Sequence, residues 1–69
     1  MRGGVLIQIV CGVCNVSEQA VRRAATIHGK KVCGNILMCN PKKLSLDFYR
    51  TAHEEHEMLE SAKRRNARQ

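Results

Sequence analysis

Residues 11–33, CGVCNVSEQAVRRAATIHGKKVC, carry two patterns at once. The cysteines and the histidine follow the spacing C-x2-C-x13-H-x4-C. The apolar positions around NVSEQAVRRAA follow a turn and then one face of a helix. The first pattern belongs to a metal site and the second to a helix held out towards a partner. Whichever of the two orders this segment decides the fold.

The helical part is the more explicit. Ser17 is a good N-cap and Glu18 suits the positive end of a first turn. A helix is predicted from Glu18 to Ile27, with Ala20, Val21, Ala24, Ala25 and Ile27 available to pack. Gly29 is a natural stop. Arg22 and Arg23 project from this helix, and Lys30 and Lys31 follow it.

Working upstream, residues 5–11 (VLIQIVC) are almost all apolar and mostly β-branched, which predicts a short buried strand. Gly12 and Asn15 both tolerate the left-handed backbone of a tight turn. Downstream, residues 31–39 (KVCGNILMC) predict a short strand or a tight hairpin with 5–11. Asn40-Pro41 is the next helix-start signal and Ser45 a second candidate cap. From there to Arg65 the pattern is helical, with Leu44, Phe48, Ala52, Leu59 and Ala62 forming a narrow apolar stripe. Glu60 is spaced to pair with Lys63 and Arg64. The fold class expected is a small α+β protein: a zinc-finger-like knuckle with short strands, one short helix and a long C-terminal helix.

The metal reading rests on ligand type. Zinc takes four Cys or His ligands around a tetrahedron, and two thiolates on one tight turn reach the same ion. Cys11 and Cys14 supply that pair, and Cys33 is the third ligand. His28 and Cys39 are alternatives for the fourth, the latter giving C-x2-C-x18-C-x5-C. With His28, residues 9–34 resemble the C2HC variant of classical zinc fingers. The middle segment is longer than the usual spacer of about twelve residues. The aromatic residue expected inside such a finger is absent, with Glu18 near its place. The resemblance implies one structural zinc ion. His53 and His56 lie three apart in H-E-E-H, which is not the H-E-x-x-H of zinc proteases; they read as part of a solvated face. All four cysteines also read as small buried apolar residues, which free cysteine often is.

The second resemblance is to the helix-turn-helix. Cys11 takes the place of the small residue in its first helix, Asn15 that of the turn, and Val16-Ser17 open the second helix. Val10, Cys14, Val16, Val21 and Ala24 are then the inward contacts. Gln19, Arg22 and Arg23 face DNA, where Arg suits guanine edges and Gln adenine. The match is good from Asn15 to Ala25. Before Asn15 it is poor, because VLIQIVCGVC is β-branched and holds a glycine. At the other end, SAKRRNARQ resembles in composition the arginine-rich segments that fold on RNA, through Lys63, Arg64, Arg65 and Arg68.

The totals bound the rest. A chain of 69 residues is one small domain, with 1–43 as the zinc or nucleic-acid module and 44–69 as an amphipathic helix with a basic tail. So short a chain is marginal without a metal, disulfides or a partner. Phe48 and Tyr49 are its only aromatic residues of the Phe, Trp and Tyr type. The net charge of +6 favours a polyanionic partner. It is segregated: no acid lies between Glu18 and Asp47, whereas Arg22, Arg23, Lys30, Lys31, Lys42 and Lys43 do. No apolar run is long enough to span a bilayer, and the N-terminal segment is a poor secretory signal. No phosphate loop, activated nucleophile or carboxylate pair points to an enzyme.

The function expected is therefore a small basic zinc-binding protein that binds DNA or RNA in a regulatory role, in the cytoplasm or nucleus. One alternative is an adaptor or inhibitor that docks through residues 44–62, on a protein partner or a second copy. The other is a metal-free helix-turn-helix protein that binds DNA. No membrane partner is expected.

Overall fold

A computed structural model describes residues 4–67 of the chain. The order of elements is β1 (Val5–Leu6), α1 (Ile7–Cys14), α2 (Glu18–Ile27), β2 (Val32–Cys33), β3 (Ile36–Leu37), a single 3-10 turn over Pro41–Lys43, and α3 (Leu46–Ala67). The architecture is α+β: three helices and one small antiparallel sheet of strand order β1-β3-β2.

The predicted strand over 5–11 is mostly helix, since only Val5 and Leu6 pair with β3 before the chain turns into α1. Packing decides this. In α1 the buried residues are Ile7, Val10 and Cys14, spaced as a helix spaces one face. Helix formation costs a few tenths of a kcal/mol at each β-branched residue and about 1 kcal/mol at Gly12. Burying Ile7 completely, with Val10 and Cys14 nearly so, outweighs this. The period is hard to see in the sequence because the outer face is apolar too: Ile9 and Val13 are 55% and 73% exposed.

Asn15 ends α1 in the left-handed conformation, φ 59° and ψ 47°, and its N–H donates to the Cys11 carbonyl over 2.7 Å. Asn15, Val16 and Ser17 are the only residues between the two helices. Ser17 caps α2 as predicted, its hydroxyl accepting from the Ala20 N–H at 3.3 Å. The other end closes as a Schellman motif: the Gly29 N–H donates to the Thr26 carbonyl and the Lys30 N–H to that of Ala25. Gly29 holds φ +72°, which favours glycine.

Residues 31–39, read as a short strand or a tight hairpin with 5–11, form a hairpin of their own, with β2 and β3 joined through Gly34 and Asn35, and β3 also pairs with Val5–Leu6. Gly34 has φ +62° at the first central position, the pattern of a II′ turn. The Asn35 carbonyl accepts from the Ile7 N–H at 2.9 Å and so fixes the hairpin to the start of α1. Both predicted caps are used. Asn40 accepts from the Lys42 N–H at 2.9 Å in the 3-10 turn, and Ser45 from the Phe48 N–H at 3.2 Å at the start of α3.

The core is small and rich in alanine: Ile7, Val10, Cys14, Val16, Ala20, Val21, Ala24, Ala25, Leu37, Phe48 and Ala52. Alanines on α2 and α3 let the two helices approach closely, and Phe48, fully buried, is the largest core side chain. Towards its C-terminal end α3 leaves this core, and residues 61–65 are all exposed. Among the described residues no helix is long and apolar enough to cross a membrane.

Candidate nucleic-acid interface

One face of α2 packs inward through Ala20, Val21, Ala24 and Ala25. The opposite face carries Glu18, Gln19, Arg22, Arg23, Thr26 and Ile27, none of them buried. At 100° per residue these six fall within one half of the helix surface. Gln19, Arg22 and Arg23, singled out from the sequence, are thus brought together on one open face. Arg22 reaches back to Glu18 over 3.0 Å, an exposed i,i+4 pair that aligns its guanidinium along the helix.

Three contacts fix this helix from α3. The Ser17 N–H donates to His56 Nδ1 at 3.1 Å. Arg23 Nη1 meets Glu55 Oε1 at 3.3 Å. His28 Nε2 lies 2.9 Å from the Thr51 hydroxyl, which itself donates to the Asp47 carbonyl. The hydroxyl proton being committed, His28 is the donor to Thr51. Acceptance by Nδ1 likewise places the proton of neutral His56 on Nε2. Ser17 to His28 spans about 16 Å of α2, whereas His56 to Thr51 spans about 8 Å of α3. The helices therefore cross obliquely, running in opposite senses.

Sequence reasoning placed Glu54, Glu55, Glu57 and Glu60, with His53 and His56, on a solvated helix face, yet Glu55 is buried and His56 half-buried. A signal was available: Glu55 fills the gap in the stripe Phe48, Ala52, Leu59, at helical spacing from each. A carboxylate on an apolar stripe calls for a partner from the facing element, and Arg23 is that partner. Thr51 and Thr26 were also missed, and no sequence pattern marks either.

The remaining cations are spread out. Lys30 is half-buried and Lys31 exposed where α2 leads into β2; Lys42 and Lys43 are exposed in the 3-10 turn. Lys63, Arg64 and Arg65 are exposed near the end of α3, and Arg68 lies outside the described residues. Glu60 forms an ion pair with Lys63 at 4.0 Å, a surface pair of little energetic weight.

The metal candidates are placed differently from a knuckle. Cys11 and Cys14 sit on α1, half-buried and buried; Cys33 is exposed in β2; Cys39 is half-buried with its thiol 3.6 Å from the Asn40 carbonyl. His28 has its Nε2 committed to Thr51 and its ring edge-on to Phe48, centroids 5.6 Å apart. Among the described residues no three Cys, His, Asp or Glu side chains form a group able to hold a metal ion. Burial pushes the Cys11 thiol above its ordinary range, with the Glu18 charge adding to this and Arg22 opposing it. Burial, and then the neighbouring Cys11, push Cys14 the same way. Both shifts favour the thiol over the thiolate in the metal-free chain.

The chain matches no protein-family model, and searches of curated proteins and of solved structures return no significant match.

Proposed function

We propose that this protein binds duplex DNA in a regulatory role as a metal-free helix-turn-helix, with α2 as the helix that enters the major groove. The observation that carries this reading is the join of α1 to α2. A three-residue turn closed by left-handed Asn15 joins α1 to α2, and the polar, cationic face of α2 is left uncovered. In such a unit the first helix crosses the backbone and the second presents its N-terminal residues to base edges. Gln19 and Arg22 are the side chains at that end with the donors and acceptors to read adenine and guanine. Glu18 can accept from cytosine N4 as well as hold Arg22. Arg23, anchored by Glu55, suits a phosphate. The lysines at 30, 31, 42 and 43 would add further phosphate contacts. The α2 N-terminus contributes its own positive field.

The test is fluorescence anisotropy with random-sequence duplex DNA across a salt series. Five phosphate contacts would lower affinity by about five-hundredfold between 50 and 200 mM salt. Arg23→Ala should reduce the salt slope by about one, while Arg22→Ala should weaken selected sites more than random DNA. Binding that is absent, or indifferent to salt, would sink the proposal. One zinc per chain, with helix content lost on chelation, would put the zinc-stabilised module of residues 11–39 in its place.

A further inference from the structure

We propose that two copies of this chain pair antiparallel through the flank of α3 that carries Glu54, Met58, Ser61 and Arg65. These four, with Glu55 and Glu57, line an open groove of about 700 Å³ along the helix. Their spacing of four, three and four residues is that of a coiled-coil seam. The seam is set off from the stripe Phe48, Ala52, Leu59 that faces the core. Met58 is 55% exposed, and Glu54, Ser61 and Arg65 are exposed. Among the described residues, neither Glu54 nor Arg65 has an ion-pair partner within the chain. They lie about 16 Å apart along the helix, so they do not reach one another.

Charge complementarity names the occupant and its direction. A register that sets Glu54 opposite the second copy's Arg65 also sets Met58 opposite its Ser61. Two-fold symmetry then makes each pairing occur twice. The small serine leaves room for the flexible methionine between the two ion pairs. Parallel pairing in register would set Glu54 against Glu54 and Arg65 against Arg65, which like-charge repulsion disfavours. A polyanion would meet Glu54 and Glu57 on the same flank. A second copy offers the matching order of charges. The pairing uses the opposite flank of α3 from Tyr49 and His53 and involves no residue of α2, so it stands whether or not the chain binds DNA.

Sedimentation velocity over a concentration series tests this, with the 69-residue chain and three variants. The unmodified chain should show a monomer–dimer equilibrium that weakens with salt. Glu54→Arg and Arg65→Glu should each weaken dimerisation by about tenfold or more, since each sets like charges opposite one another twice. The double variant should restore it to within about threefold, because antiparallel pairing re-forms both ion pairs with their signs exchanged. An equimolar mixture of the two single variants should give heterodimers. Circular dichroism should be unchanged throughout, the substituted side chains being exposed. A chain monomeric at every concentration, a dimer unaffected by the single reversals, or a double variant no better than the singles would each overturn the proposal.

Discussion

The two helices of the turn unit differ in what makes them helical. α2 is specified locally: a serine cap, an acid in its first turn, four inward apolar residues at helical spacing and a glycine that closes a Schellman motif. α1 has almost none of this. No side chain caps its start, four of its eight residues are β-branched, and it holds Gly12. Its conformation comes from what it packs against. A helix with good local signals keeps its outer face for charge, whereas one held by contacts tolerates an apolar outer face.

The largest effect expected separates the two isoleucines of α1. Ile7 is fully buried and Ile9 is 55% exposed. Ile7→Ala should cost about 2–5 kcal/mol of stability. Ile9→Ala should stay within about 0.5 kcal/mol of the unmodified chain. Denaturant unfolding measures both. A strand would turn the two residues to one face, so similar losses would break the helical assignment of α1.

Arg23→Ala probes how α2 depends on α3. It leaves the Glu55 carboxylate, whose side chain is 12% exposed, without its cation. Arg23 is itself half-exposed, so solvent screens the pair and the loss should be about 1–2 kcal/mol. Arg22→Ala, breaking only a surface pair, should cost less than about 0.5 kcal/mol. Equal losses in urea unfolding would remove Glu55 as an anchor of α2.

Ser17→Ala should cost about 1 kcal/mol by removing the cap of α2. Gly12→Ala should stabilise α1 by about 0.5–1 kcal/mol. A Cβ at Gly12 would meet no atom within 4 Å. Opposite signs from these two changes would sharpen the contrast between a helix already optimised and one that is not.

The smallest effect expected is a pH dependence. The thiols of Cys11 and Cys14 lie above their ordinary 9.0 in the folded chain. Below that value both states are protonated and nothing changes. As pH rises past it the unfolded chain loses protons that the folded chain retains, so stability falls. Cys14→Ala should flatten this decline in urea titrations from pH 8 to 10 and leave neutral-pH helix content intact. Chelators should leave the circular dichroism spectrum unchanged.

Much of the fold was legible because local chemistry carries it. Ser17, Gly29, the Gly34-Asn35 turn, Asn40 and Ser45 each do in the structure what their side chains or backbone freedom suggest. The outward set Gln19, Arg22 and Arg23 was legible for the same reason, since a capped amphipathic helix has only one face to expose. The start of α1 was not. A continuous apolar run looks alike as buried strand or packed helix, and the choice waits on the elements that bury it.

The sequence by itself determined a short capped helix with two arginines facing outward and a long final helix, because these follow from torsional preferences and hydrogen bonds within a few residues. Only the tertiary structure decided that C-x2-C lies on a helix, that Glu55 and His56 turn inward to hold α2, and that α1 and α2 form one unit. Those outcomes depend on residues far apart in the chain: Ile7 against the hairpin, Arg23 against Glu55, Ser17 against His56. Apart from the place of Glu55 in the stripe of α3, contacts of that range leave no periodic trace in the sequence. They form because burying one small core requires all three helices at once.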